Sequence, residues 1–309
     1  MQQTIGGLAM ADPTHVLTAF SDHAAQLVER IAGSVVAVHG GGRWSASGIH
    51  WRSGVIVTAE EALERDEGIN LTLPGGREVE ASLAGRDPTT DVAVLRFQAD
   101  GLPVAPTADT SHRAGQVVLA VGSHEGAPRA ALGIVAFAGG PWHSRRGGTI
   151  DSLIRLDLAL HPAAEGGALV DTQGQVTGTA VLGPRRRALA IPASTINRSV
   201  DQLLAKGHVF RGYLGAGLQP IRGGRPPGQS QTSGAGVLVV GLDPEGPAAH
   251  AGLLVGDIIT AWNTQKVDRV RDIVRLLGAE SADKTADLSL IRGGNSMLLK
   301  VVLGERPIT

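Results

Sequence analysis

From Pro13 to Gly33 apolar residues recur at Val16, Leu17, Phe20, Ala24, Leu27, Val28 and Ile31. That three-and-four spacing predicts an amphipathic helix. The period then shortens. SVVAVHG, ASGIHWRSGVIVTAE, INLTLPGGREVEASLAG, DVAVLRF, QVVLAVGS and RAALGIVAFAGG are short apolar runs separated by glycine and proline. Two further runs, SLIRLDLAL (152–160) and GALVDTQGQVTGTAVLG (167–183), flank Glu165 and read as strands, and RALAIP follows them. So many short strands between turn signals predict an all-β barrel or sandwich pair. After Pro192, ASTINRSVDQLLAKG predicts a second helix, with Gly207 in the C-cap position.

Beyond Gly207 the pattern mixes. RGYLGAGLQPI reads as a strand, GGRPPGQSQTSGAG (223–236) as a long flexible loop, and GVLVVGLDPEGPAAHAGLLVGDIITAWNTQKV as strands around a short helical piece. VDRVRDIVRLLGA predicts a helix with Val270, Ile273, Val274 and Leu277 on one face, and ADLSLIRGGNSMLLKVVL a closing hairpin. The expected organisation is a flexible N-terminus (1–12), a β-domain carrying the N-terminal helix (13–207), and an α+β module (208–309) of roughly a hundred residues, a common single-domain size.

Composition narrows the function classes. Across 309 residues, 28 Lys and Arg face 29 Asp and Glu, so the net charge of -1 supplies no general attraction for nucleic acid or an anionic membrane. The basic clusters Arg145-Arg146 and Arg185 to Arg187 sit in loops flanked by glycine or proline and read most simply as solvated. Without cysteine, disulfides, thiolate catalysis and Cys-ligated zinc are excluded. MQQTIGGLAMADPTHVLTAF has neither a basic region followed by an apolar run nor a stretch able to span a bilayer. Taken alone this reads as a soluble cytoplasmic chain, and as a periplasmic one if an export segment has been removed.

HPAAEGGALVD (161–171) sets a lone carboxylate, Glu165, directly before paired glycines, on a turn that presents a side chain where backbone approaches closely. Three stretches, ASGIHWRSGVIVTAEEALE, RDPTTDVAVLRF and DLALHPAAEGGALVDTQGQVTG, resemble in order and spacing those of the HtrA/DegP family. The resemblance implies a mainly β fold, a chymotrypsin-like double β-barrel, followed by an α+β PDZ domain. It places Glu61 where the family has its catalytic histidine, Asp91 at the orienting aspartate and Glu165 at the nucleophilic serine. The triad is therefore degenerate. A glutamate is a poor peptide-attacking group, and its reference pKa of about 4.3 makes it a weak base. Ala163-Ala164 replaces the Gly-Asn pair that the resemblance leads one to expect before the serine. Thr58, Ser123 and Ser47 lie in flanking segments, but no histidine stands at a family-supported position beside them.

RGYLGAG and EGPAAHAGLLVGDIITAWNTQKV resemble PDZ segments. Tyr213, Leu214, Gly215 and Ala216 would offer backbone N–H groups to a peptide carboxylate, the strand through Leu218 would pair with the peptide, and Val270, Ile273, Val274 and Leu277 would wall in its last side chain. Some of those apolar positions are expected to be core. The leading expectation is an inactive HtrA-like protein that binds peptide or unfolded segments as scaffold, chaperone-like holder or regulator, with no cofactor. The alternatives are a metal-binding protein using Glu61, Asp91 and Glu165, and a residual serine-type endopeptidase. Expected partners are protein C-termini, and the resemblance adds a homo-trimer through the segment holding Phe20 or a hetero-assembly with an active relative. The scattered histidines, His50, His112, His124, His143, His208 and His250, read as surface or loop residues, and Trp142-His143 as a loop with a signalling role.

Overall fold

The computed structural model describes residues 13–98, 101–207, 209, 212–221, 236–278 and 281–305. The expected flexible N-terminus (1–12), nearly all of the 223–236 loop, and His208 lie outside the described residues. By internal packing the chain divides into two units, 1–140 with 151–207, and 141–150 with 208–309. One division falls after Gly207, and a second segment crosses over. The hairpin of Trp142–His143 and Thr149–Ile150 groups with the second unit.

In the first unit, helix α1 (Pro13–Ala32) packs by its C-terminal half alone: Leu27 and Ile31 are buried, whereas Leu17 is 70% and Val16 54% exposed. Two closed six-stranded barrels follow. The first runs in neighbour order Val35–His39, Ala46–Arg52, Val55–Thr58, Val92–Phe97, Glu78–Asp87 and Ile69–Thr72. Its core holds Val36, Val38, Ile56, Ile69, Leu71 and Leu95, inward-facing members of alternating strands. The second joins Leu153–Asp157, Ala188–Pro192, Val176–Leu182, Gly167–Val170, Val117–His124 and Ala127–Gly139. The expected strand 152–160 stops at Asp157, because Pro162 opens a short 3-10 turn, Pro162–Ala164, that leads into the Glu165 bend. Helix α2 (Ala193–Lys206) lies on the barrels through Ile196, Val200 and Leu203, and ends on Gly207 at φ 75, the left-handed cap that glycine adopts at least cost.

In the second unit a sheet runs Ala216–Pro220, Val237–Leu242, Ile258–Trp262, Thr285–Arg292, Asn295–Val302. Helices α3 (Pro247–His250) and α4 (Val270–Leu276) accompany it, over a core of Leu214, Val239, Leu253, Ile259, Trp262 and Leu288. RGYLGAGLQPI is not one strand. It breaks after Gly212–Tyr213 and resumes at Ala216–Pro220, with Gly215 at φ 72 in the gap.

One buried side chain ties the two barrels together. Ser47 is fully buried, donates its hydroxyl to the Ala163 carbonyl at 2.6 Å and accepts the Ser123 N–H at 2.9 Å. Its backbone N–H reaches the Glu165 carbonyl at 2.8 Å, and its carbonyl accepts the Thr58 hydroxyl at 2.7 Å. Replacing Ser47 by Ala strands the buried Ser123 N–H and the Ala163 carbonyl. We expect a loss of about 2–4 kcal/mol in urea unfolding, the scale of two unsatisfied buried groups. A loss below 0.5 kcal/mol would show that the hydroxyl does not hold the barrels.

Candidate functional site

The cleft forms where the turn Glu60–Ala62, the loop before Val92–Phe97 and the Pro162–Gly166 elbow meet. Asp87 shapes the middle element. Its carboxylate accepts from the Thr89 N–H and hydroxyl and from the Thr90 hydroxyl, folding 87–90 into a side-chain-capped turn. Asp91 then adopts φ 59, a left-handed conformation that aspartate tolerates better than most residues. Its carboxylate faces a backbone amide and no ring: Oδ1 accepts the Glu61 N–H at 2.9 Å. Burial is the main reason that the Asp91 carboxyl is raised from 3.8 to about 7. The Glu61 N–H opposes the rise, while the charges of Glu61, Glu165 and Glu60 add to it.

Glu165 follows the 3-10 turn, and Gly166 at φ 79 reverses the chain after it. A side chain at 166 has no room, since its Cβ would stand 2.5 Å from the Ser47 carbonyl oxygen and 2.6 Å from the Ala59 nitrogen. The Glu165 carboxylate turns back along the second barrel, and Oε1 accepts the Leu182 N–H at 3.0 Å. Burial raises its pKa, partly offset by the Leu182 N–H; Glu61 raises it further and Arg186 lowers it. Arg186 and its neighbour Arg185 lie at φ 55 and φ 59 in the turn after Leu182. Two consecutive left-handed non-glycine residues mark that turn as strained.

The elbow's amides are committed inside the elbow. The Ala163 N–H donates to His161 Nδ1 at 3.1 Å, the Ala164 N–H to the His161 carbonyl at 2.8 Å, and the Glu165 N–H to the Pro162 carbonyl at 3.1 Å. His161 is the N-cap of the turn, stands edge-on to Trp44 at 6.1 Å, and is held below its ordinary pKa by desolvation, with the charges of Arg129 and His124 adding to the effect. Its Nδ1 is therefore an acceptor, which fixes a neutral ring with the proton on Nε2.

Glu61, Asp91 and Glu165 thus share one electrostatic neighbourhood, but two of them point at backbone amides. Glu61, Asp91 and Glu165 do not form a set of cation ligands here: among the described residues no three His, Asp or Glu side chains are grouped so as to hold a metal ion. Thr58, Ser123 and Ser47 are all buried, and the hydroxyls of Thr58 and Ser47 are taken by backbone carbonyls. The structure also corrects one histidine read as a surface or loop residue: His50 is buried in a barrel strand with Nδ1 on the Pro103 carbonyl and Nε2 on the Gly54 N–H, while His112 lies in a loop but is only 9% exposed.

The peptide-binding set separates in the second unit. Leu214 and Gly215 are buried in the gap between strands, where the Leu214 carbonyl accepts the Ala248 N–H and the Gly215 carbonyl the Asp243 N–H. The Tyr213 hydroxyl donates to Asp243 at 3.0 Å, fixing the loop from its other side. Ala216 begins an edge strand, Ala216–Pro220, that pairs only with Val237–Leu242 in its sheet. Leu218, Val270 and Leu277 are half-buried beside the core. Of the four apolar residues expected to wall in a peptide side chain, Ile273 is fully buried and belongs to the core itself, and Leu277 caps α4 instead of lying within it. Val274 lines a cavity on another side of α4.

Comparison with known proteins agrees with this architecture. The trypsin-like peptidase domain family matches residues 46–178 and the PDZ domain family residues 212–303. A probable periplasmic serine endoprotease, DegP-like, of Halomonas elongata is 33% identical over 273 residues, 82% of this chain and 55% of its own. One of Brucella suis is 33% identical over 264 residues, 82% of this chain and 51% of its own. The chain thus spans about half the length of the curated relatives it matches. The crystal structure of the serine endoprotease from Yersinia pestis superposes with a TM-score of 0.71 at 29% identity, covering 92% of this chain and 98% of that one. The HtrA-type protease AlgW with decapeptide gives 0.73 at 25% identity, covering 92% and 99%. Two closed barrels joined to a PDZ domain define a chain of the trypsin-like peptidase fold with a peptide-recognition module. It belongs to the HtrA/DegP family.

The Asp91 carboxyl generates a pH dependence whose sign is fixed. With a folded pKa of about 7 against 3.8 for an ordinary aspartate, the folded state binds more protons than the unfolded state between those values. Stability therefore falls as pH rises from about 4 to about 7, by on the order of 3–4 kcal/mol for this group. Asp91→Asn keeps the acceptor and removes the charge. Urea unfolding across pH 4 to 8 should show it gaining on the wild type as pH rises. Parallel curves for the two proteins would contradict the assignment.

Proposed function

We propose that this chain is a non-cleaving member of its family that binds the C-terminal segments of other proteins through the PDZ domain and acts as a scaffold, holder or regulator. The observation that carries the proposal is the elbow. Acyl transfer needs a hydroxyl or thiol nucleophile, a base within hydrogen-bond reach and donors aimed at the developing oxyanion. At the elbow stands a carboxylate bonded to the Leu182 N–H, and the Ala163, Ala164 and Glu165 amides are spent on the turn itself. The resemblance sets Glu61 at the base position, and its backbone N–H donates to Asp91 Oδ1.

The PDZ unit supports the binding half of the reading. Among the described residues its edge strand Ala216–Pro220 has one neighbour in the sheet, Val237–Leu242, so its other edge suits pairing with an added peptide strand. Among the described residues the N–H groups of Leu214 and Gly215 have no acceptor, which suits a terminal carboxylate. AlgW, an HtrA-type protease of this architecture, has been solved with a decapeptide. Self-association through α1 belongs to the same proposal, motivated by the exposed apolar side chains of Val16, Leu17 and Phe20.

Calorimetry with a peptide ending in an apolar residue tests the reading. The free acid should bind at least about tenfold more tightly than its C-terminal amide, about 1.4 kcal/mol, and should be recovered uncleaved. Val270→Lys should weaken the free acid by a similar factor with the fold intact. Equal binding of acid and amide, or recovery of cleaved peptide, would refute the proposal.

A further inference from the structure

Within the second unit, the 142–150 hairpin and α4 border a cavity of about 500 Å³ whose lining includes neither Val270 nor Leu277. Its lining is strongly basic. Arg271 and Arg275 stand one turn apart on α4 beside Val274, and Arg145 faces them from the hairpin turn. Like charges four residues apart on a helix repel unless an anion lies between them. The one acid in the lining is Asp272, whose Oδ2 already accepts the Asp268 and Arg269 N–H groups at 3.2 and 2.9 Å and caps the start of α4. Among the described residues no carboxylate pairs with Arg145, Arg271 or Arg275. His143 on the same wall is held below its ordinary pKa, first by desolvation and then by Arg275, so this corner disfavours any added positive charge.

We propose that this cavity takes the carboxylates of an acidic polypeptide segment, Asp or Glu residues lying upstream of a chain terminus seated in the peptide groove. Three planar guanidinium groups around one cavity match carboxylate oxygens in bidentate geometry. Val274 offers an apolar floor for the methylenes of the acidic side chains. A polypeptide is favoured over a small anion because α4 serves both places: Val270 packs beside the core at its first turn while Arg271, Val274 and Arg275 point into the cavity. A segment crossing α4 therefore meets both. The position along the segment rests on the peptide-binding reading above. The preference for acid does not.

Three peptides separate the two claims, measured by fluorescence anisotropy at low and high salt against the full chain. The first carries Asp-Glu pairs upstream of a free apolar C-terminus, the second has Asn and Gln in their place, and the third is the acidic peptide with an amidated end. The first should bind about tenfold more tightly than the second at low salt, a factor consistent with one or two partly exposed charge pairs, and the gap should narrow as salt rises. Arg271→Gln with Arg275→Gln should bring the first two together while leaving the binding of the second, and the melting temperature, unchanged. Equal binding of the first and second peptides to the wild type overturns the inference and leaves the groove reading standing. Binding of the acidic amide that is lost in the double variant supports the cavity and counts against the groove. Failure of all three to bind overturns both.

Discussion

The hydroxyl of Ser47, sealed between the two barrels, is the contact on which the site depends. It grips the Ala163 carbonyl and the Ser123 N–H while the Ser47 backbone holds Glu165 and Thr58. Ser47 and Ser123 are both buried, so each group the hydroxyl satisfies would otherwise stand unpaired at a cost of about 1–3 kcal/mol. Glycines let the backbones come this close. A Cβ at Gly122 would sit 2.6 Å from the Ala164 Cα, and one at Gly166 2.5 Å from the Ser47 carbonyl oxygen. The first barrel thus fixes the elbow of the second, and with it the direction in which residue 165 leaves the chain.

Given that frame, the chemistry of the cleft follows from what fills it. An imidazole beside Asp91 would keep the aspartate ionised by hydrogen bonding and by its own developing charge. Here burial acts with little opposition beyond the Glu61 N–H, and nearby carboxylates push the same way, so the group titrates close to neutrality. Glu165 meets a similar desolvation but finds the Leu182 N–H and the field of Arg186. The strained turn at Arg185 and Arg186 is the structural counterpart of that placement. Two of the three carboxyl groups in the cleft, those of Asp91 and Glu165, are thus bonded to backbone amides.

Much of the fold was legible in the sequence because its signals are local. The glycine-punctuated strands, the apolar stripe of α1, and Gly207 at the end of α2 each follow from spacing and backbone permissiveness within a few residues. The part of the site that rests on motif, Asp91 after the Asp-Pro-Thr-Thr turn and Glu165 before Gly-Gly, was equally visible. What sequence does not carry is side-chain direction. Glu165 on a bend looks free to face the cleft, and only the approach of Leu182, seventeen residues on, shows where its carboxylate goes. Ile273 and Val270 share a helical stripe, yet one is core and the other half-buried. The same limit hid the basic cavity: Arg145 and Arg275 are 130 residues apart, and Arg145 read alone is a solvated loop residue.

An elbow that presents a carboxylate, with its amides bonded inside the turn, should not support cleavage by this domain. Intact-mass spectrometry of the purified chain after exposure to a fluorophosphonate, with denatured casein in a parallel tube, tests it most directly. The chain mass should stay unmodified and the casein undegraded after prolonged incubation. A single adduct on one hydroxyl, together with casein fragments that disappear when that adduct forms, would contradict it.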